Sequence, residues 1–301
     1  MNSKQRELHG EPIPASDLIL NEDGSIFHLH LYPEQVPETV ILVGDPGRVP
    51  TVGQHLTGVE EIANTREFRA MLGEYHGKRI LVQSTGIGAG CIDITLNELD
   101  ALVNIDFASR RCYQQPRSLS LLRIGTSGTL RSDIANGEAI ITSLSIGFDL
   151  IPWLYQEGPA IFEASAVRAF TSTFYTLGNQ QLVSLYAVRS DAELVAQLAP
   201  LGRKGITYCC PGFYGPQLRQ LRLHATNQAL FNAASNVIYN GERVLNMEME
   251  SGPLNALAAM LGHRAVTITL AIDNRRVETV KVDYAEAMDE LIERTLAAIK
   301  G

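Results

Sequence analysis

Two glycine-rich segments of the chain place an arginine where an anion could bind. Residues 44–48 read GDPGR and residues 122–128 read LRIGTSG, each at an apolar stretch. Glycine lets the backbone approach a ligand, and a turn near a helix start can point N–H groups at an anion. Arg48 adds a permanently charged planar fork, whereas Arg123 lies inside an apolar run and needs a partner if it is buried. The alternatives are an ordinary turn with a surface arginine and a core arginine paired to a structural carboxylate.

A third segment, residues 246–251 (NMEMES), carries two carboxylates and two thioethers after an apolar stretch. In an extended chain Glu248 and Glu250 share a face, because side chains alternate with a period of two. A carboxylate can accept two hydrogen bonds from the neighbouring hydroxyls of a sugar. The alternative is a helix start that favours acidic residues through its dipole.

Residues 213–219 (FYGPQLR) bring together an aromatic ring, an amide and a guanidinium. Phe213, Gln217 and Arg219 could stack on and hydrogen-bond a flat polar ring. Read in isolation, the segment is a loop with a solvated arginine. Residues 65–68 (TREF) predict only a charged turn by themselves.

Two histidines, His28 and His30, alternate with apolar residues in the segment FHLHL at 27–31. The alternation predicts that both side chains face the same side of a strand. Two histidines could contribute to a metal site, but the sequence offers no evident third ligand. We expect ordinary histidines on a partly polar strand face.

The elements that would position these residues alternate between strands and helices. Apolar runs predict strands at 39–44, 79–84, 119–124, 138–144, 206–210, 243–247 and 264–272, and helical patterns cover 91–103, 251–261 and 284–299. This alternation predicts an α/β fold with a largely parallel or mixed sheet. Three strands run into Gly-rich or Asp-rich turns, and ligands in such folds bind at the carboxyl ends of strands.

The domain organisation follows from the remaining segments. Residues 1–25 are polar and predict an irregular N-terminal arm, and residues 26–301 read as a single domain. The polar stretch 104–118 (NIDFASRRCYQQPRS) predicts a long surface loop or a helix extension.

Composition narrows the class of protein further. The 301 residues are 45% hydrophobic and 19% charged, which is typical of a folded globular protein. The net charge of −8 argues against a nucleic-acid surface, and no apolar run is long enough to span a membrane. The four cysteines form no C-x-x-C pair, so we expect reduced thiols in a cytoplasmic protein. The sequence contains no G-x-S-x-G motif and no plausible Cys-His pair, so it gives no indication of a nucleophilic side chain.

Taken in order, the segments FHL, GDPxR, REF, STGIG, LRIGTSG, FxxxQxR, MEMES and NR resemble the nucleoside phosphorylase-I family, and within it the uridine phosphorylases. The resemblance spans roughly residues 26–275. It implies a single-domain α/β/α sandwich with a central mixed β-sheet. It also implies a pentosyltransferase that uses inorganic phosphate to cleave uridine, or a related pyrimidine nucleoside, to uracil and ribose 1-phosphate.

The resemblance implies a role for each matched residue. Phosphate would be held by Gly44, Arg48, Arg123 and Thr126, with Arg66 reaching in from a neighbouring subunit. The ribose would be held by Met249 and Glu250, assisted by Glu248, with His28 supplied by a neighbour. The base would be read by Gln217 and Arg219 against Phe213, with Arg275 in a loop that closes over it.

The resemblance also implies a homo-oligomer with shared sites, at least a dimer and, in the bacterial pattern, a hexamer. No cofactor is expected, since phosphate is a co-substrate. A monovalent cation could bind at Glu67 and Ile87, although Cys91 replaces a serine that helps hold the cation in some bacterial members.

Three alternatives to a uridine phosphorylase stay open. The first is a purine nucleoside phosphorylase, because Asp273 lies near the position of an acid in those enzymes. A hydrolase on the same fold shares a MEME-type segment but does not need three phosphate-binding arginines. The third alternative is a nucleoside-binding protein without catalytic activity.

Overall fold

The computed structural model describes residues 6–176, 184–225, 235–281 and 283–299. The strands are β1 (Leu8–His9), β2 (Thr39–Val43), β3 (Thr57–Thr65), β4 (Phe68–Tyr75), β5 (Lys78–Ser84), β6 (Ile105–Asp106), β7 (Arg111–Tyr113), β8 (Ser120–Thr129), β9 (Ala139–Gly147), β10 (Tyr186–Arg189), β11 (Arg203–Cys209), β12 (Ile238–Tyr239), β13 (Glu242–Glu248), β14 (Arg264–Asn274) and β15 (Thr279–Val280). The α-helices are α1 (Arg48–Gly53), α2 (Ala89–Asn104), α3 (Ala164–Thr176), α4 (Ala192–Leu198), α5 (Ser251–Leu261) and α6 (Ala285–Ala298).

The main sheet is mixed, as the sequence predicts. Its strand order is β12-β13-β11-β9-β14-β8-β2-β5-β4-β3, with β10 beside β9 and β15 beside β14. Strands β5, β2, β8 and β14 are parallel to their neighbours in that run, whereas β9 is antiparallel to β14. Strand β13 also pairs with β8, so that β8, β14, β9, β11 and β13 close into a ring.

Helices cover both faces of the sheet, which gives the predicted α/β/α sandwich. Along β2, Val40 and Leu42 pack with α2 and α5 on one face, and Ile41 and Val43 pack with α1, α4 and α6 on the other. A strand that is buried on both faces reads as a continuous apolar run, which is why this stretch gives such a clear signal. Each of these side chains contributes about 1.5–3 kcal/mol when buried.

The segment 27–31 is not a strand, contrary to the prediction. Residues 27–29 form a turn, and His30 has a φ of 53°. The main-chain N–H groups of His28 and Leu29 donate to the Glu98 carboxylate on α2, not to a neighbouring strand. Leu29 and Leu31 are fully buried, so the apolar positions anchor the turn to the core.

The stretch 104–118 is not a plain loop or a helix extension either. Strands β6 and β7 form a hairpin within it, and β1 from the N-terminal arm pairs with β7 to complete a small three-stranded sheet. The Arg110 side chain donates to the carbonyl oxygens of Ile13, Pro14 and Leu18. The arm is therefore more regular than predicted, because its backbone finds partners in this hairpin.

A third difference lies at residues 125–128, which we expected to form a turn after a strand. Strand β8 continues to Thr129, because the main chain of this segment pairs with both β14 and β13.

Across the described residues, no helix is both long enough and apolar enough to cross a membrane.

Candidate active site

A cavity of about 760 Å³ opens where the carboxyl ends of β2, β5, β8, β13 and β14 meet. Most of the predicted site residues line it, namely Gly44, Arg48, Glu67, Ile87, Arg123, Thr126, Phe213, Gln217, Arg219, Glu248, Met249, Glu250 and Asp273. This position agrees with the rule that ligands of α/β folds bind at the carboxyl ends of strands. Segments that are far apart in the sequence thus line one cavity.

One end of the cavity carries two buried guanidinium groups. Arg48 at the start of α1 is 9% exposed, and Arg123 on β8 is 4% exposed. Burial lowers the pKa of Arg48, and the charge of Arg123 nearby lowers it further. Arg48 forms no ion pair with the described residues; its guanidinium donates to the Ile124 carbonyl oxygen at 3.4 Å, and the Tyr284 hydroxyl lies nearby. An anion at this end would offset the repulsion between the two cations.

Arg123 lies flat against its own strand because residue 125 is a glycine. A Cβ at Gly125 would be 2.5 Å from Nη1 of Arg123 and 3.0 Å from its Cζ. A Cβ at Gly44 would lie at an ordinary van der Waals distance, 3.8 Å from Nη2 of the same group. Gly125 therefore makes room for the guanidinium, and the approach of these backbones to an anion stays a prediction.

Two carboxylates at the end of β13 hold Arg123. Its Nη2 donates to Glu250, and its Nη1 lies 3.5 Å from Oε2 of Glu248. Glu248 also accepts hydrogen bonds from the main-chain N–H groups of Glu250 and Ser251 at 3.0 and 2.9 Å, and Glu250 accepts one from Gly88 at 2.7 Å. Both acids therefore line the cavity, and Glu248 also stabilises the start of α5, whereas binding of sugar hydroxyls by these carboxylates stays a prediction.

The other end of the cavity is built from the segment 213–219. The guanidinium of Arg219 stacks 3.7 Å from the ring centroid of Phe213 and donates to Oε1 of Gln217 at 2.7 Å. That bond leaves the amide N–H groups of Gln217, a residue that is 3% exposed, as donors. The result is a ring, an amide and a guanidinium at one place, as needed to bind a flat polar ring.

Asp273 joins this end of the cavity by an ion pair. Its Oδ2 accepts a hydrogen bond from Nη2 of Arg219 at 2.5 Å and lies 3.7 Å from Nη1 of Arg275. Arg275 does not line the cavity, but it donates to the carbonyl oxygen of Leu218 at 3.2 Å and so contacts the segment 213–219.

Two predicted residues, His28 and Arg66, do not line the cavity of their own chain. His28 is engaged by Glu98 at 2.6 Å, and Arg66 is exposed at the tip of the β3–β4 turn with a φ of 53°. The charged turn at 65–68 is therefore confirmed. Whether these two residues reach a neighbouring subunit stays a prediction.

The candidate cation residues lie side by side at the cavity rim. The Sγ of Cys91 is 3.9 Å from Oε1 of Glu67, and a Cβ at Gly86 would collide with Glu67. Burial, followed by the charge of Glu67, raises the pKa of Cys91. Among the described residues, no group of three or more His, Cys, Asp or Glu side chains could hold a metal ion.

Three lining residues were missed by sequence reasoning: Tyr284, Ile272 and Val280. Tyr284 stands at the start of the predicted C-terminal helix. Its place in a helical pattern gave no indication that it lies near Arg48 in the fold. Ile272 precedes Asp273 in a long apolar strand and gives no signal that distinguishes it from the core. Val280 lies on β15, a strand of two residues that no periodicity could predict.

The cavity has two buried guanidinium groups at one end, two carboxylates beside them, and an aromatic ring, an amide and a guanidinium at the other end. This set of groups is the one expected for a site that binds a small anion beside a polar ring compound. The family model of the phosphorylase superfamily matches residues 38–300, and the chain belongs to that superfamily.

Proteins similar to this chain include the uridine phosphorylase of Thermococcus kodakarensis, which is 29% identical over 84% of this chain and 79% of that protein. The uridine phosphorylase of Haemophilus influenzae is 26% identical over 85% and 88%, respectively. A DeoD-type purine nucleoside phosphorylase of Brevibacillus brevis is 27% identical over 90% and 97%. A crystal structure of a Trypanosoma brucei nucleoside phosphorylase superposes with a TM-score of 0.83 at 22% identity, over 93% of this chain and 99% of that one, and supports the fold.

Proposed function

We propose that this chain catalyses the phosphorolysis of uridine or a related pyrimidine nucleoside, which yields uracil and ribose 1-phosphate. The observation that carries the proposal is the division of one cavity between two buried guanidinium groups, Arg48 and Arg123, and a Gln217–Arg219 pair stacked on Phe213. The similarity to proteins named uridine phosphorylases supports it.

Phosphate would bind between Arg48 and Arg123, with Thr126 and the Gly44 backbone beside it. Fixing phosphate below the sugar carbon that it attacks replaces a collision in solution with a positioned encounter, which can lower the barrier by roughly 7 kcal/mol or more. Met249 and Glu250 line the same cavity and would hold the ribose, with the carboxylate accepting from its hydroxyls.

The bond between the ribose and the base would lengthen first, giving a sugar with positive charge that the phosphate stabilises. Negative charge would then develop on the departing uracil. Burial lowers the pKa of Arg219, and a guanidinium that is partly removed from water interacts strongly with that charge. The Gln217 amide would donate to a carbonyl oxygen of the same ring. Each step uses binding and charge, and none needs a nucleophilic side chain.

A purine substrate is the second candidate, because one relative is a purine nucleoside phosphorylase. Against it stands the ion pair of Asp273 with Arg219, in which Oδ2 of the carboxylate is bonded to a guanidinium. A hydrolase would have no use for two buried cations beside the sugar. These contacts favour the pyrimidine phosphorylase.

Several expectations complete the proposal. The enzyme would form a homo-oligomer, a dimer or a hexamer, in which Arg66 and His28 reach a neighbouring site. It would need no cofactor, and a monovalent cation could bind at Glu67 and Ile87. We also expect it to be cytoplasmic.

The experiment that tests the base preference compares uridine and inosine at equal concentrations with saturating phosphate, with cleavage followed by ultraviolet absorbance. The proposal predicts that uridine is cleaved at least about tenfold faster. Faster cleavage of inosine would assign the site to purines and give Asp273 the role of an acid.

Gly125→Ala tests whether the flat position of Arg123 matters for phosphate. The added Cβ would lie 2.5 Å from a guanidinium that two carboxylates hold in place, so the group must shift. We expect the KM for phosphate to rise by about tenfold, on the scale of one displaced charge-assisted hydrogen bond. Gly90→Ala is the control, because a Cβ there meets nothing within 4 Å. Equal KM values for the two variants would contradict the prediction.

Tyr284→Phe tests the unpredicted contact with Arg48. Loss of the hydroxyl removes a polar group beside the buried Arg48 guanidinium, so on the scale of one weak hydrogen bond, about 0.5–1.5 kcal/mol, the KM for phosphate should rise by about threefold to tenfold. Tyr214→Phe, which changes a tyrosine that is 54% exposed, should leave the KM unchanged. The measurement is the initial rate against phosphate concentration, and a rise in the KM for uridine alone would refute the assignment.

A further inference from the structure

A chain of buried hydroxyl and amide groups leads from α5 to the carboxylate of Glu248. Asn255 donates through its Nδ2 to the hydroxyls of Ser190 and Ser145, both at 3.0 Å. Ser145 on β9 donates to Ser251 at 3.0 Å, and Ser251 donates to Oε1 of Glu248 at 2.6 Å. These five residues are between 0% and 7% exposed, and Ser145, Ser190 and Asn255 do not line the cavity.

The direction of this chain follows from counting donors and acceptors. An ionised carboxylate only accepts, so the Ser251 hydrogen must point at Glu248. With that hydrogen used, Ser251 can act only as the acceptor toward Ser145, and Ser145 must be the donor. Ser145 in turn accepts from the Asn255 amide. Turning that amide around would leave two N–H groups without acceptors, whereas the observed orientation leaves only its Oδ1 unpaired. The hydrogens of the path from Asn255 through Ser145 and Ser251 therefore all point toward Glu248, whereas the second Asn255 hydrogen points to Ser190.

We infer that Ser145 and Asn255 are positioning residues for the phosphate end of the site, acting through Ser251 and Glu248 on Arg123. The inference rests on the proposed function. The groups that carry it are hydrogen-bonded in series, and bonds in series polarise one another in the direction of the charge.

The reason for such a chain is the cost of burying Glu248. Burial raises the pKa of this carboxyl group, an effect that the charge of Arg123 opposes and the neighbouring charge of Glu250 reinforces. The hydrogen bond from Ser251 and the N–H groups at the start of α5 favour the ionised form. An ionised Glu248, together with Glu250, fixes the guanidinium of Arg123 at the cationic end.

The test compares two serines of the same strand. Ser145→Ala interrupts the chain, whereas Ser143→Ala removes another buried hydroxyl of β9 that bonds the Gly205 carbonyl and Glu242 instead. The dissociation constants of inorganic phosphate and of uracil are measured separately by titration calorimetry. We expect Ser145→Ala to weaken phosphate binding by on the order of threefold to tenfold and to leave uracil binding within about twofold. Ser143→Ala should leave both unchanged.

Three outcomes would overturn the inference: unchanged phosphate binding in Ser145→Ala, the same loss in Ser143→Ala, or an equal loss of phosphate and uracil binding. If Ser145→Ala does not fold, Ser251→Ala makes the same comparison, because it removes the last hydroxyl before Glu248 and should have the larger effect. Phosphate binding is measured without turnover, so a wild-type protein that binds phosphate but does not cleave uridine would refute the proposed function and leave this inference testable.

Discussion

Arg219→Ala is expected to lower kcat/KM for uridine by about two orders of magnitude or more, on the scale of losing one donor that acts in the transition state. The guanidinium lies against Phe213 and bonds Gln217, so it stands where charge would develop on the departing base. The measurement is the initial rate of uracil release against uridine concentration.

The controls for this variant address the partner that it leaves behind. Without Arg219, the Asp273 carboxylate keeps a single cation among the described residues, Arg275 at 3.7 Å, and a poorly paired carboxylate could disturb the site by itself. The double variant Arg219→Ala/Asp273→Asn removes that charge and should remain as slow as the single variant. Arg222→Ala, which changes an exposed arginine nearby, should keep the wild-type rate. A rate near that of the wild type in Arg219→Ala would sink the assignment of the base site.

Arg123→Lys is expected to abolish saturation by phosphate at concentrations that saturate the wild type. A lysine offers one compact charge and cannot contact Glu248, Glu250 and a ligand with a planar fork. Two buried carboxylates would then be poorly compensated, at a cost below the roughly 3–5 kcal/mol that complete loss of one partner of a buried ion pair carries. We therefore also expect a lower Tm.

The measurement for this variant is the initial rate against phosphate concentration, together with thermal unfolding. Arg131→Lys is the matched control, because Arg131 follows the same strand and its ion pair with Asp133 is partly exposed. If Arg123→Lys reached half-saturation at the wild-type phosphate concentration, Arg123 could not be a phosphate ligand.

The parts of the fold that could be predicted are those whose signal is local. Helix α5 was predicted with its observed ends, since its apolar pattern stops at Gly262, which adopts a φ of 76° beyond the last turn. The strand at 39–44 was clear because both of its faces are buried. In contrast, the alternation at 27–31 could not reveal that the Glu98 carboxylate, about 70 residues away in sequence, satisfies the main-chain N–H groups that a strand would otherwise pair.

The site shows the same division between local and distant information. The sequence identified Arg123, Glu248 and Glu250 separately, but it could not show that they form one buried ion cluster across 125 and 127 residues of sequence. The sequence also could not decide the role of Asp273, because that role depends on the distance between its carboxylate and the guanidinium of Arg219. Glycine-rich spacing predicted a turn at 125–128, although pairing with β13 and β14 keeps the segment extended.

The most direct test of the proposed function is to incubate the protein with uridine, with and without inorganic phosphate, and to separate the products by chromatography. The proposed function predicts uracil and ribose 1-phosphate in equal amounts when phosphate is present, and no cleavage when it is absent. Release of uracil and free ribose without phosphate would mean that water is the acceptor, and would contradict the role given to Arg48 and Arg123.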